Sequence, residues 1–143
     1  MGIIRSVSLV LMLVGQACTQ GSAVQIKPID SDALQTTPIS QLTARERRLA
    51  AAIGKSIHTA CESHAQCKTV AQGFNPCGGV GHYRVYSTAT TDVENLQMLL
   101  RQYNQINSFL NKKMARMGAC VIVDKPATVC VANQCVTRSP MLK

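Results

Sequence analysis

Apolar residues recur every four positions in the first half of the chain, a spacing that places their side chains on one face of an α-helix. Thr43 precedes this stripe and Glu46 follows three positions later, which is the spacing of a capping box at a helix start. We therefore predict that the first folded element is a helix beginning at Thr43, and that its apolar face points a cysteine into the core. The residues of the stripe are Leu49, Ile53, Ile57 and Cys61.

A second, longer helix is predicted between Thr91 and Gly118. Thr91 and Glu94 repeat the capping-box spacing, and Gly118 is suited to the left-handed conformation that ends many helices. Basic residues near the predicted C-terminus complement the negative end of the helix dipole. The predicted apolar face consists of Val93, Leu96, Leu100, Tyr103, Ile106, Leu110, Met114 and Met117.

Short β-prone segments separate and follow the two helices. Two of them, residues 68–72 and 83–87, flank a loop that is broken by glycines and a proline. Three more follow the long helix, at residues 120–123, 128–132 and 135–138. This order predicts an α+β domain in which a small antiparallel sheet is packed by two helices and stapled by up to three disulfides.

The first residues are typical of an export signal, because Arg5 precedes an apolar run at residues 7–14 that is too short to span a bilayer. Small residues then lead into Cys18, and the region resembles the signal and lipobox of bacterial lipoproteins. The resemblance implies a signal peptide over residues 1–17 and a lipid anchor at Cys18 that binds the membrane. Because Thr19 follows the cysteine, it also implies an outer-membrane lipoprotein facing the periplasm or the cell surface. Residues 18–40 predict a flexible tether, and residues 41–143 a disulfide-stabilised domain.

Two other outcomes at the N-terminus stay open. The position three residues before Cys18 holds Gly15, where a lipobox usually has leucine. Gly21 and Ala23 have the small side chains and the spacing that signal peptidase needs for cleavage after Ala23, which would discard Cys18 and release the domain. The third outcome is an uncleaved anchor.

Six cysteines remain once Cys18 is set apart, and an exported chain meets an oxidising compartment, so we predict three structural disulfides. Six thiols allow fifteen connectivities, and the pairing stays open. Cys130 and Cys135 can pair with each other only if the turn between them is wider than two residues, and otherwise each reaches a neighbouring strand or the helix bearing Cys61. The chain has no Trp and two Phe, so disulfides would support a mainly aliphatic core. The six are Cys61, Cys67, Cys77, Cys120, Cys130 and Cys135.

The formal net charge of +8 favours anionic partners, such as lipid head groups, lipopolysaccharide or an acidic protein. We expect no nucleic-acid partner, because export and the lack of an interleaved aromatic and basic pattern disfavour one. Arg45, Arg48 and Lys55 have helical spacing on the first helix and form a candidate basic face. A solvated surface without a partner is the alternative for this face.

Residues 74–82 form the best candidate binding loop, because a disulfide at Cys77 could hold a glycine-rich segment in one shape. The alternative is that its glycines serve only a turn around Cys77. The candidate residues are Phe74, Asn75, Gly78, Gly79 and His82.

No pattern in the chain predicts catalysis or a cofactor. Cys61, His64 and Cys67, with His58 or His82, have zinc-ligand chemistry, but their spacing is not that of a zinc motif and oxidation would consume the thiolates. The sequence also lacks a paired nucleophile and base and a pair of carboxylates without helix-capping or turn roles. We therefore expect a protein that is not an enzyme and binds no metal or cofactor.

From Cys61 onward the chain resembles small, disulfide-rich envelope lipoproteins of proteobacteria. The shared pattern is C-x5-C, Pro-Cys-Gly-Gly at residues 76–79, Tyr-Arg-Val-Tyr-Ser at residues 83–87, a long helix and a closing pair of cysteines. The resemblance implies a location and a disulfide framework, and carries no activity or site residue. The expected function is a non-enzymatic, lipid-anchored envelope protein that presents a disulfide-held binding module to a protein partner or an anionic envelope component. The alternative is a periplasmic inhibitor or immunity protein against a secreted hydrolase.

Overall fold

The computed structural model of the chain describes residues 29–138, so the predicted signal peptide and Cys18 lie outside the described residues. Within these residues the fold is α+β, as predicted, but the four strands form two separate two-stranded antiparallel sheets. The helices are α1 (Ser31–Thr36), α2 (Ile39–Ser56) and α3 (Val93–Lys113), with a 3-10 turn at His64–Gln66. The strands are β1 (Cys67–Phe74), β2 (Val80–Ser87), β3 (Ala127–Val131) and β4 (Gln134–Arg138).

Helices α2 and α3 pack against each other, and the β1–β2 hairpin lies against α3. Leu42, Leu49 and Ile53 of α2 supply one side of the interface, and the leucines and Ile106 of α3 supply the other. Val70 and Tyr86 bring the hairpin onto the same core. Burial of these aliphatic side chains is the main favourable term for this layer. The buried residues of the core are Ile29, Leu34, Leu42, Leu49, Ile53, Leu96, Leu99, Leu100, Ile106 and Leu110.

The prediction that the first helix starts at Thr43 is wrong, because α2 begins four residues earlier, at Ile39. The Thr43 hydroxyl donates to the Ile39 carbonyl (2.8 Å) inside the helix instead of capping it. The helix also ends at Ser56, before Cys61, and just beyond this end the His58 carbonyl accepts from Ser87 N at the end of β2 (2.8 Å). Cys61 is nevertheless buried, as expected.

Residues 29–40 differ from the flexible tether that was predicted over residues 18–40. Here the chain forms α1 and the start of α2, and Ile29 and Leu34 are buried in the core. The Asp30 side chain accepts from Asp32 N at the start of α1 (3.4 Å). Burial of these two apolar side chains and the hydrogen bond from Gln105 Nε2 to the Ile29 carbonyl (2.7 Å) hold this part of the chain against the domain.

Helix α3 is capped by Asp92, whose carboxylate accepts from Asn95 N (3.0 Å), and not by Thr91. At its other end the helix stops at Lys113, so Gly118, the predicted C-cap, lies outside it. Met117, which was predicted for the apolar face of the helix, also lies outside it and is 96% exposed. The predicted strand at residues 120–123 is wrong, because this stretch joins neither sheet and its side chains are exposed. The two predicted strands that follow are present as β3 and β4.

Three disulfides join the six cysteines of the domain, as predicted: Cys61–Cys130, Cys67–Cys135 and Cys77–Cys120. The first two attach the β3–β4 hairpin to the chain just before and at the start of β1, and they lie side by side in a second small core. Backbone hydrogen bonds support the same junction, from Cys61 N to Asn133 O (3.0 Å) and from Cys135 N to Thr59 O (2.7 Å). Disulfides of this number are typical of proteins outside the cytoplasm.

Among the described residues, no helix has the length and hydrophobicity needed to cross a bilayer.

The buried Cys67–Cys135 disulfide and the exposed Cys77–Cys120 disulfide should differ in their effect on stability. Cys67 and Cys135 are 3% and 4% exposed and close a long stretch of chain, so the double change Cys67→Ala/Cys135→Ala should lower the free energy of unfolding by about 2–5 kcal/mol. Cys77→Ala/Cys120→Ala, at an exposed bridge, should cost less and leave the helix content unchanged. Denaturant titrations followed by circular dichroism measure both losses, and an equal or larger loss for the exposed pair would contradict the expectation.

Candidate functional site

Three asparagines on one face of α3 hold the end of strand β1. Asn104 Oδ1 accepts from Gly73 N (2.7 Å), and Asn107 Oδ1 accepts from Phe74 N (2.8 Å). Asn111 Nδ2 donates to the Phe74 carbonyl (2.8 Å). Because Gly73 has a positive φ of 74°, the strand bends here, and the side-chain amides bond backbone groups at the bend.

The positive φ of Gly73 is the reason for glycine at this bend, because residues with a side chain rarely adopt it. A Cβ added there would come into van der Waals contact with α3, 3.4 Å from both Asn107 Oδ1 and Tyr103 Cε1. The close approach lets α3 reach the backbone of β1 directly. The position of the loop that follows is therefore set by the helix.

Glu46 extends the contact to helix α2. Its Oε1 accepts from Asn107 Nδ2 (2.7 Å) and from Arg116 Nη1 (3.0 Å), and its Oε2 accepts from Arg116 Nη2 (2.9 Å). We call Glu46, Asn107 and Arg116, together with the Phe74 amide, the Glu46 network. It connects α2, α3, β1 and the segment after α3.

The carboxylate of Glu46 is ionised in this network. Burial by itself would raise its pKa, but the hydrogen bonds from Arg116 and Asn107 and the charge of Arg116 outweigh burial and hold the pKa below its usual value. The charge of Glu46 also acts on Tyr103. Burial and this negative charge raise the pKa of the phenol, and the positive charge of Arg116 partly offsets the increase. The network is thus a charge pair stabilised by neutral amides.

Residues 75–79 form a tight turn at the tip of the β1–β2 hairpin. Asn75 N donates to Gly79 O (3.1 Å), Gly78 N donates to Asn75 O (2.8 Å), and Cys77 N donates to Asn75 Oδ1 (3.0 Å). Gly78 and Gly79 have φ values of 105° and 81°, which this turn requires.

The segment after α3 locks this turn in place. The Cys77–Cys120 disulfide joins the two, and Asn75 Nδ2 donates to Ala119 O (2.8 Å). Gly118 lies so close to the turn that an added Cβ would be 3.0 Å from Pro76 Cδ. Asn75 is therefore a structural residue of the loop, since its side-chain oxygen and nitrogen are both bonded to backbone groups there.

A groove of about 230 Å³ lies between this loop and the last turns of α3. The ring of Phe74, 45% exposed, supplies apolar surface, and the exposed side chain of Lys112 supplies a positive charge. These groups favour contact with an apolar side chain and a carboxylate of a partner. The lining residues are Phe74, Asn75, Pro76, Gly78, Ser108, Asn111 and Lys112.

The groove therefore includes three of the five residues predicted for the binding loop: Phe74, Asn75 and Gly78. Gly79 belongs to the turn, and His82 lies in β2, where it pairs with Gln72. Loss of water around the His82 ring and the positive charge of Arg84 lower the pKa of His82, which favours the neutral imidazole. His82 is thus separate from the lining of the groove.

The candidate basic face is only partly formed. Arg48 and Lys55 are exposed on α2. Arg45 is half-buried instead, and its Nη2 donates to Gln102 Oε1 of α3 (3.4 Å). Two residues of the face, Arg48 and Lys55, are therefore exposed to solvent, and the third, Arg45, contacts α3.

Two of the cysteines considered for zinc lie in a cluster of sulfur atoms. The Sγ atoms of Cys61, Cys67 and Cys135 are within 4.8 Å of one another. Each of them is bonded in a disulfide, so none is present as the thiolate that zinc requires. The cluster is the centre of the second small core.

Sequence reasoning missed Glu46 and the three asparagines as parts of the site. Glu46 lies between Leu42 and Leu49 on the apolar stripe of α2, so its helical spacing already indicated a charged residue facing the core. The asparagines recur at helical spacing on α3, yet nothing in the sequence indicated which backbone they would bond.

No family model, no curated protein and no solved structure matches this chain.

The Glu46 network should make stability depend on pH. A carboxyl whose pKa is lowered by folding stabilises the folded state fully above its unfolded-state pKa, near 4.5, and loses this contribution as the pH falls through its lowered value. At neutral pH, Glu46→Gln should therefore lower the free energy of unfolding by about 1.5–3 kcal/mol. The difference from the wild type should shrink as the pH is reduced below 4.5.

Urea titrations between neutral and acidic pH measure this difference. Glu62→Gln, which changes an exposed carboxylate, is the matched control and should follow the wild type. If Glu46→Gln lowers the free energy of unfolding by the same amount down to the lowest pH measured, the charge of Glu46 contributes nothing to stability.

Proposed function

We propose that this chain is a non-enzymatic, lipid-anchored protein of the cell envelope that presents the groove beside Cys77–Cys120 as a binding surface. The observation that carries the proposal is that the groove is shaped before any partner binds. The disulfide, the turn around Asn75 and the asparagine contacts to Phe74 each fix one of its walls. A preformed surface loses less conformational entropy on association than a flexible loop does.

The groove's chemistry favours a protein segment with an apolar side chain next to a carboxylate. Phe74 leaves nearly half of its surface exposed, and aromatic side chains are enriched among the residues that dominate binding energy. Lys112 adds a positive charge at the end of α3, and the chain as a whole carries +8, which would speed the approach of an acidic partner. We therefore propose an acidic envelope protein as the partner of the groove.

The lipid anchor at Cys18 and the outer-membrane location belong to the same proposal. They are supported by the export signal and the lipobox-like sequence before Cys18, and by the three disulfides, which form in oxidising compartments. An anchored domain would display the groove within reach of other envelope proteins.

A second candidate function is inhibition of a secreted hydrolase. The feature that favours it is the exposed turn at Pro76, Cys77, Gly78 and Gly79, which the Cys77–Cys120 disulfide holds in one conformation. A rigid exposed loop can occupy a hydrolase cleft at a small entropic cost.

The charge of Lys112 provides a test of the groove. Capture of envelope proteins on the disulfide-intact full chain, followed by affinity measurement with the purified partner, should show binding about tenfold weaker for Lys112→Glu than for the wild type. Lys55→Glu is the matched control, because Lys55 is also exposed and also lies in the last turn of a helix, and it should bind as the wild type does.

The identity of the captured protein separates the two candidate functions. An envelope protein without hydrolytic activity supports the leading proposal, and a hydrolase whose activity falls on binding supports the second. Equal affinities for Lys112→Glu, Lys55→Glu and the wild type would exclude the groove as the binding surface.

The lipid anchor makes a separate prediction. Protein purified from the membrane fraction should have the mass of a chain that begins at an acylated Cys18, and Cys18→Ser should abolish this acylated form. Intact-mass measurement provides the test, because a soluble mature form beginning at Val24 would contradict the anchor.

A further inference from the structure

The segment that follows α3 exposes its apolar side chains to solvent. Met117 is 96% exposed, Ile122 88% and Val121 63%. We call these three residues the apolar tip. Three exposed apolar side chains within six residues of chain make this segment a candidate surface for contact with an apolar partner.

The tip is held on the folded domain by covalent and hydrogen-bonded contacts. Cys120, within the segment, is bonded to Cys77, and Ala119 O accepts from Asn75 Nδ2 (2.8 Å). Val121 N donates to Ala119 O (2.9 Å), a bond inside the segment, and residues 120–123 add no strand to either sheet. The exposed side chains are therefore presented from a fixed base.

Lysines precede and follow the apolar tip along the chain. Lys112 and Lys113 are exposed at the end of α3, and Lys125 is exposed just beyond the tip. Asp124 is the acidic residue between them, so three lysines oppose one aspartate, while the charge of Arg116 is matched by Glu46. Exposed apolar side chains in a segment with exposed lysines complement the interface of an anionic membrane.

We propose that the apolar tip inserts into the head-group region of an anionic lipid bilayer, with Lys113 and Lys125 against the lipid head groups. Two features favour lipid over a protein partner. Met117 and Ile122 are almost fully exposed, and the tip has no aromatic side chain and has lysines before and after it in the chain, whereas protein interfaces are enriched in aromatic residues, methionine and arginine and depleted in lysine. The proposal rests on the proposed envelope location, which brings the domain to a membrane, and adds a second contact that is independent of Cys18.

Insertion would orient the domain. Gly118 and Ala119 contact the turn at Asn75 and Pro76, so the groove and the apolar tip lie at the same end of the molecule. A tip in the bilayer would place the groove next to the membrane surface. Partners of the groove would then be met at the membrane and not in the open periplasm.

A single tryptophan tests insertion directly, because the chain contains none. The full-length chain carrying Ile122→Trp is mixed with vesicles of phosphatidylglycerol and phosphatidylethanolamine whose acyl chains are brominated. The tryptophan emission of this variant should shift to shorter wavelength and be quenched. Val131→Trp is the matched control, since Val131 is 54% exposed on β3, and its emission should change little.

The lysines are tested in the Ile122→Trp background. Lys113→Gln/Lys125→Gln should weaken the vesicle interaction by about fivefold per lysine, and phosphatidylcholine vesicles or high salt should weaken it as well. Met117→Trp, at the most exposed position of the tip, provides a second reporter and should behave as Ile122→Trp does. Intact disulfides and an unchanged thermal transition confirm that each variant is folded.

Flotation of the same vesicles separates this proposal from the lipid anchor. Chains that float while the emission of both Ile122→Trp and Met117→Trp stays unquenched would overturn insertion and leave the anchor intact. Quenching that persists when Cys18→Ser is added supports insertion independently of the anchor. If both reporter variants respond only to a captured protein and never to vesicles, the tip is a protein-binding surface and the proposal is wrong.

Discussion

The side-chain amide of Asn107 joins the separate layers of this domain. Its oxygen accepts from Phe74 N at the end of β1, and its nitrogen donates to Glu46 of α2, whose carboxylate also binds Arg116 after α3. A buried carboxylate is costly unless its charge and its lone pairs are satisfied, so these residues constrain one another. The position of the hairpin relative to both helices depends on this contact.

The disulfides have different roles in two regions of the domain. Cys61–Cys130 and Cys67–Cys135 attach the β3–β4 hairpin, which lies outside the buried aliphatic core that the described residues form. Cys77–Cys120 is exposed and connects the loop to the segment after α3, so it mainly fixes the geometry of the groove. A chain with few aromatic residues can in this way keep a defined surface on a small core.

The proposed binding groove and the proposed lipid contact at the apolar tip lie at one end of the molecule and differ in chemistry. The groove combines part of an aromatic ring with the amide of Asn111 and the charge of Lys112, which suits a protein segment. The tip presents aliphatic side chains beside lysines, which suits lipid. Both depend on the Cys77–Cys120 disulfide for their position, so oxidation of this pair would prepare both surfaces together.

The sequence by itself determined the α+β class, the long third helix, both strands flanking the loop and the use of six cysteines, because helical spacing, β-propensity and an even cysteine count are local or compositional signals. It also located Phe74, Asn75 and Gly78 of the groove. Only the tertiary structure decided the cysteine pairing, the helix ends and the role of Glu46. The position of Glu46 along the helix fits both a capping box and an ion pair that faces the core. The partner in the ion pair, Arg116, lies 70 residues away in the sequence. Which of the two forms depends on distant packing. The strand-like residues 120–123 likewise stay unpaired, because within residues 29–138 no strand lies beside them.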